Sequence, residues 1–497
     1  YQKFKKEFEF ELPDAVFNRR HPIGIESVIQ KADRAGLKKF YDSWYRPDNM
    51  VLVAVGDFRV KELESLIASR FSKLSPRGSN PGFSSDRVHV SWHPHEGTKT
   101  FYYHEPEAGH TEITIERITW ADFKVQTVAD FKEELVKSMA DQIFQNRLSW
   151  LIRKQKAKFS KASVYSGQFL HHVSIAAVNT SCEPEHWKSS LVQMKKLLNQ
   201  ALENGFDQNE WDRVKAEVVS SLEAAVKQAD TRKTQALSRA ILRAVNNKTL
   251  FMSPAQELTL LKPFIENLTL DQVNLAFKQS WKNDHRLILV TGNLMMGSEG
   301  GPSPEMIIKT IYDQEIQTSV ALFQPFEEKK FPYLPIPGIN NQAQTGIGLK
   351  TKSIEALDIV TVDFPNQVRL NLKQTDFQDN RILFRLNFGH GKRSLPHSKP
   401  GLSWISQTTV QQSGFGAMDA DQLDQALAGR DVGIEFAIDD DYFSLTGSAD
   451  PEEAELVFQL IVTYLQDPGI RRQGLDLAKT LYRQMYENLK KTPEGVM

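Results

Sequence analysis

The chemistry that 12 histidines and 62 acidic residues could support is metal-assisted hydrolysis. A zinc hydrolase needs two imidazoles four residues apart on one helix face, with a Glu beside them as base. Neither H-E-x-x-H nor its inversion H-x-x-E-H occurs in the chain. The near misses are His93-Pro-His95-Glu96-Gly97 and His104-Glu105-Pro106-Glu107-Ala108. Each lacks the second His and has a Pro where helix is required. His93, His95 and Glu96 can form an adventitious metal site on a loop, and the bland reading is a solvated loop. His171-His172 sits in a strand-like stretch, where neighbouring side chains point to opposite faces and do not share a metal.

Other chemistries have less to build on. There is no G-x-S-x-G nucleophile elbow. Gly389-His390-Gly391-Lys392 has Leu386 where a phosphate loop needs its first Gly, and Arg393 follows the Lys. Gly414-Phe415-Gly416 lacks the third Gly of a dinucleotide fingerprint. Both read as turns. Net charge is -1, so no global field draws the chain to nucleic acid or an anionic membrane. No apolar run approaches the roughly 18–20 residues of a membrane span. A single cysteine, Cys182, excludes an internal disulfide framework and a thiolate zinc knuckle.

With 497 residues the chain should hold about three to four units at roughly 100–200 residues each. Residues 75–86 (SPRGSNPGFSSD) and 331–345 (FPYLPIPGINNQAQT) read as linkers, with a weaker break at 297–304. The spacing of Val60, Leu63, Ile67, Phe71 and Leu74 predicts a helix. Thr127 with Asp130 predicts a capped helix running to about Arg153. Pro184 opens another, which Asn204-Gly205 should stop, and Asp207 with Glu210 caps the next, turning Trp211, Val214, Val218 and Leu222 inward. Strands are expected at residues 51–55, 111–115, 287–290, 368–372 and 382–388. Mixed strands and helices without a strict βαβ rhythm predict an α+β fold.

The chain also repeats itself. Residues 40–58 (FYDSWYRPDNMVLVAVGDF) and 277–294 (FKQSWKNDHRLILVTGNL) share an aromatic helix end, an apolar strand and a Gly. A second echo links Cys182-Glu-Pro-Glu185 to Ala449-Asp-Pro-Glu452, each where a strand enters a helix. Phe40, Trp44, Phe277 and Trp281 are expected as core anchors of helices lying on sheets. Gly56 and Gly292 are expected at turns that a Cβ would obstruct.

Arg20-His-Pro-Ile-Gly24, then Leu37-Lys-Lys-Phe-Tyr41, Trp44-Tyr-Arg-Pro-Asp-Asn-Met50 and Val55-Gly-Asp57 together resemble the pitrilysin/insulinase family of zinc metallopeptidases, M16, and its bacterial members most. The resemblance implies tandem homologous domains, each an antiparallel sheet flanked by helices, closing around a peptide-holding chamber. On its register, residues 1–75 are the C-terminal part of the first, catalytic-type domain. Residues 86–296 are a complete second domain, 297–345 a connector, and 346–497 the N-terminal part of a third domain with the first and third copies incomplete. The family's H-x-x-E-H helix and downstream Glu would lie before Tyr1. Residues 399–414 (KPGLSWISQTTVQQSG) match the frame of that helix in the third unit. Trp404 then stands at the first His, Gln407 at the Glu and Thr408 at the second His.

The resemblance therefore implies zinc and peptide hydrolysis for the parent enzyme, with no catalytic, metal or cofactor-binding residue in this chain. The chain would supply chamber wall and substrate surface. Expected partners are a peptide or unfolded polypeptide, and the missing N-terminal segment or a homologous subunit; nucleic acid and a membrane span are not expected. The competing reading is a non-catalytic relative that holds peptides or serves assembly. Compartment is left open between bacterial periplasm and cytoplasm.

Overall fold

The computed structural model describes residues 2–13, 15, 18, 20, 23–77, 95–169, 172–282, 285–297, 300–314, 349–491 and 495. His21, Pro22, His93, His171 and most of both expected linkers lie outside the described residues.

Helix α1 (Gln2–Glu11) comes first, followed by α2 (Glu26–Gln30), α3 (Arg34–Trp44) and α4 (Val60–Phe71). The next stretch carries β1 (Gly97–His104), β2 (Thr111–Trp120), α5 (Val128–Arg153), β3 (Lys161–Phe169) and β4 (Val173–Cys182). Five helices then precede β5 (His285–Gly292): α6 (Trp187–Asn204), α7 (Gln208–Lys227), α8 (Thr234–Asn247), α9 (Pro254–Asn267) and α10 (Leu270–Ser280). Helix α11 (Pro304–Asp313) follows. After the undescribed stretch come β6 (Lys350–Ile354), β7 (Ile359–Asp363), β8 (Arg369–Leu372) and β9 (Ile382–Phe388). The chain closes with α12 (Leu402–Gln411), α13 (Ala420–Ala426), β10 (Val432–Ile438), β11 (Phe443–Ala449), α14 (Ala454–Gln466) and α15 (Arg472–Leu489).

The main sheet runs β1-β5-β2-β4-β3. Only the β1–β5 pair is parallel. Strand alternation assigns its two faces. Ile113, Ile115, Val178, Ile288 and Val290 point into the large core under α5, α6, α7 and α10, with Phe144, Trp211, Phe277 and Trp281. Ile118, Val173, Leu287 and Leu289 point the other way, under Phe8 and Leu12 at α1. Helices on both faces explain why β5 is buried at every position, a continuous apolar strand rather than an alternating one.

Local signals hold well here. Thr127–Asp130 and Asp207–Glu210 both form capping boxes. A 3-10 turn at Pro184–His186 leads into α6, which ends at Gly205 with φ of 74°. Gly292 has φ of 111°, and a Cβ there would sit 2.3 Å from the His110 carbonyl oxygen. Gly56 does not share that constraint, since its φ is not positive and a Cβ would meet Phe58 at ordinary contact distance, 3.5 Å.

The first segment departs from expectation. Residues 51–55 form no strand, and Leu37, Phe40, Tyr41, Val51 and Leu52 are exposed. Helix α4 forms but buries nothing. The cause is the lack of any strand among the described residues 23–77 for a sheet edge to pair with or a helix face to lie on.

The second echo is a structural one. The sheet β10-β11-β9 reproduces the β3-β4-β2 half of the main sheet, with antiparallel pairing throughout. In both, the middle strand leaves through a Pro-led 3-10 turn, Pro184–His186 or Pro451–Glu453, into a helix of the core, α6 or α14.

Candidate functional site

Helix α12 is set by glycines at its two ends. Gly401, at φ of 83°, is the N-cap, and Gly414, at φ of 65°, turns the chain where a Cβ would lie 2.5 Å from the Asp419 backbone. Its C-terminal turn is anchored by Ser413, whose hydroxyl donates to the Thr409 carbonyl at 2.6 Å and accepts from the Arg471 N–H at 2.9 Å. Gly474 of α15 lets the two helices approach, since a Cβ there would meet Ser413 Oγ at 2.6 Å.

The three positions of the metallopeptidase frame are engaged in packing. Trp404, 49% exposed, lies over the Tyr482 ring of α15, with centroids 5.6 Å apart and planes at 33°. The Thr408 hydroxyl and the Tyr482 hydroxyl are hydrogen-bonded at 3.1 Å. Gln407 Oε1 accepts from the Ile438 backbone N–H of β10 at 3.0 Å. One turn later Gln411 Nε2 donates to the Phe436 carbonyl at 2.9 Å. An indole has no lone pair for a metal, a carboxamide has no useful basicity, and a Thr hydroxyl is a poor ligand. These residues do not fit zinc. No group of three His, Cys, Asp or Glu that could hold a metal occurs among the described residues.

The other sequence-selected residues do not converge. His95 Nε2 is 3.2 Å from the Arg286 carbonyl oxygen, with its ring edge-on to His285. His104 Nδ1 is 3.0 Å from the Leu294 carbonyl oxygen. His172 lies in the β3–β4 turn, not in a strand, and stacks on Trp120 at 5.2 Å. Cys182 is buried, and burial pushes its thiol up to about 11, which removes thiolate chemistry near neutral pH. Gly389 and Gly391 occupy left-handed turn positions, at φ of 63° and 55°, with no strand-to-helix phosphate loop around them.

Two features had no signal in the sequence. The first is the seam between the main sheet unit and the last unit. Arg153 and Lys154, at the C-terminal end of α5, pair with Asp421, Asp424 and Asp419 around the N-terminus of α13. Lys227 ends α7 and meets Asp450 at 2.7 Å and Glu452 at 3.4 Å. Cations at helix C-termini facing acids at N-termini suit both dipoles. Further along, Ser160 donates to Gln484 Oε1 at 2.9 Å beside a cavity of about 290 Å³ lined by Cys182, Glu183, His186 and Arg483. The second is a carboxylate group under α1. Glu116 of β2, 5% exposed, is held well above the ordinary carboxylate range by burial and by Glu11 and Glu7. Burial, then Glu7, pushes Glu11 up to about 7.

Comparison with known proteins places this geometry. Residues 31–218 match the family described as the peptidase M16 inactive domain. The match crosses the expected 75–86 break and reaches into α7. A probable zinc protease PqqL of Haemophilus influenzae is 22% identical over 481 residues, covering 96% of this chain and 50% of that protein. Its Escherichia coli namesake is 23% identical, covering 89% of this chain and 46% of its own length. The chain thus spans about half the length of the curated relatives it matches. Among solved structures, the periplasmic protease PqqL from Escherichia coli superposes with a TM-score of 0.56 at 20% identity, over 98% of this chain and 52% of that one. The ferredoxin protease FusC, crystallised with Arabidopsis ferredoxin, gives 0.60 at 14% identity, over 99% and 54%. Domain match, relatives and shared α+β fold agree with the motifs at residues 20–57 in their similarity to M16 peptidases.

Proposed function

We propose that this chain is the wall-forming portion of an M16 zinc metalloendopeptidase that hydrolyses peptides in a closed chamber, and that it contributes substrate surface but no zinc ligand. Residues 1–75 are read as the back of a catalytic-type domain, 86–296 as a second domain, 297–345 as a connector and 346–497 as the front of an inactive third. The carrying observation is α12: at the three chemically decisive positions Trp404 and Thr408 pack on Tyr482, and Gln407 bonds the backbone of β10. Zinc chemistry, if the parent performs it, is supplied by residues outside this chain.

The test is a longer protein that includes the sequence N-terminal to Tyr1. An H-x-x-E-H motif there, with zinc-dependent cleavage of an unstructured peptide lost on changing its Glu, supports the reading. Loss of a general base should lower the rate by about two to four orders of magnitude. Gln407→Ala in the same protein should leave the chemical step nearly intact.

One observation favours the non-catalytic reading enough to keep it as an outcome. The exposed row Leu37, Phe40, Tyr41 and Trp44 on α3 offers an apolar face suited to another surface. Absence of the motif upstream, with stable association to an active homologue, would select an assembly or peptide-holding subunit instead.

A further inference from the structure

The cavity of about 290 Å³ beside Gln484 lies between α15 and the main sheet unit, and the peptidase reading makes no use of it. It is far larger than the ~10–15 Å³ that one water needs, and boundaries between units are favoured places for small-molecule sites. Its floor is buried and mainly apolar, with Phe159, Leu477 and Cys182 beside half-buried Ile152. Its mouth carries exposed charge of both signs, Lys158 and Arg483 against Glu185. Two buried polar atoms of the lining are unsatisfied. Gln484, 5% exposed, accepts from the Ser160 hydroxyl through Oε1 at 2.9 Å, and its Nε2 has no hydrogen-bond partner among the described residues. Glu183 Oε1 has none either. Burial, then Glu185, raises the Glu183 carboxyl, while Arg483 and Gln484 pull it back down. Acid, guanidinium and carboxamide are therefore close together, yet the Gln484 N–H and the Glu183 oxygen do not meet. Orphaned donors and acceptors of this kind are rare in folded proteins and mark a place for a polar guest.

We propose that this cavity binds a free α-amino acid with an apolar side chain. Its ammonium donates to Glu183, its carboxylate accepts from Gln484 Nε2 and pairs with the Arg483 guanidinium, and its side chain lies on Phe159 and Leu477. The ligand class follows from the groups themselves. A simple anion would face Glu183 and Glu185. A simple cation would face Arg483 and leave the Gln484 N–H unpaired. An α-amino acid carries both charges on one carbon, which suits a carboxylate and two donors held within reach of one another. The occupant joins the strand-to-helix exit at Glu183 to α15, so binding should stiffen the seam between the units. The proposal goes beyond the peptidase reading and does not rest on it.

The test is titration of L-leucine into the full chain, followed by calorimetry and thermal unfolding. Saturable binding with a Kd of about 1 mM or tighter is expected, with a higher unfolding temperature, since a ligand of the folded state stabilises it. Arg483→Ala changes an exposed residue and should fold normally; Glu183→Gln keeps the side chain's shape. Each should weaken binding about tenfold or more, the scale of one charge-assisted hydrogen bond. Gln484→Glu puts a like charge against the ligand carboxylate and should abolish binding; should it fail to fold, the other two variants decide. N-Acetyl-leucine and leucinamide each lack one of the two charges and should bind about tenfold or more weaker than leucine. No binding of leucine up to about 10 mM, ten times the expected Kd, would overturn the proposal and leave the cavity to water. Equal affinity in the parent, Arg483→Ala and Glu183→Gln would put the leucine elsewhere and overturn the site. N-Acetyl-leucine binding as well as leucine would overturn the amino-acid head group. None of these results depends on zinc or cleavage, so failure here is separable from failure of the peptidase assignment.

Discussion

Trp44 and Trp281 end matched helices with the same local geometry and opposite burial. Phe40 and Trp44 have ring centroids 6.4 Å apart and planes at 43°; Phe277 and Trp281 have 6.5 Å and 47°. Yet Trp44 is 36% exposed and Trp281 only 1%. The expectation that both are equivalent core anchors therefore fails. The i, i+4 spacing fixes the ring pair within each helix, whereas burial needs a sheet, which α10 has and which α3 lacks among the described residues. Truncating Trp281 to Ala should cost about 3–5 kcal/mol as a large-to-small core change. Trp44→Ala should stay within about 0.5 kcal/mol, as for other surface changes. Denaturant unfolding of the two variants, followed on the main sheet, checks the contrast.

Docking of α1 should weaken as pH rises. Glu11 sits at about 7 when docked, against an ordinary 4.5, chiefly because it is buried. Glu116 is held well above its ordinary value, chiefly by burial, and Glu7 is raised as well. A raised carboxyl pKa means the docked helix holds protons the free helix does not. Its stabilisation is present below about pH 4.5 and is lost as pH rises towards 7. Glu112 works in the opposite direction, held down to about 2 by His110 and Lys3, so its contribution is lost only in acid. Proteolytic nicking between α1 and α2 should increase from pH 5 to pH 8, and Glu116→Gln should flatten that dependence.

The seam between the units should depend on Arg153. Asp421 is nearly fully buried, with a pKa raised chiefly by burial, and is bonded by Arg153 and Lys154. Arg153→Ala leaves that carboxylate with less compensation and should cost about 2 kcal/mol, below the usual figure for a fully buried pair because Arg153 is partly solvated. Adding Asp421→Asn should recover part of the loss. A double-mutant cycle on thermal unfolding measures the coupling.

After dialysis, the chain should retain no stoichiometric zinc at a structured site, because Trp404, Gln407 and Thr408 offer no ligand set. Metal analysis decides. One tightly held zinc per chain would redirect attention to His95 and Glu96, with His93.

Gly292→Ala should destabilise the main sheet. The new Cβ would press on the His110 carbonyl at 2.3 Å in a backbone conformation that L residues avoid. A cost of about 1–3 kcal/mol is expected for such strain, read as a drop in the unfolding midpoint.

Sequence by itself determined what depends on near neighbours. The capping boxes at Thr127 and Asp207, the Gly205 and Gly292 turns, the strand-to-helix exit at Pro184 and its echo at Pro451 all rest on side chains within a few residues of the backbone they satisfy. The motifs at residues 20–57 are local for the same reason, and so is the chemistry of Trp404, Gln407 and Thr408, side chains that do not suit zinc. Tertiary structure decided everything that requires a partner far along the chain. An apolar run such as residues 51–55 encodes strand propensity but not the neighbour whose hydrogen bonds make a strand, and here it stays irregular. Arg153 meets Asp421 across 268 residues, Glu11 and Glu116 meet across a helix–sheet contact, and Gln407 finds the edge of β10. Charge, burial and hydrogen bonding at those places arise only when distant segments are brought within a few ångströms, and no residue spacing records that.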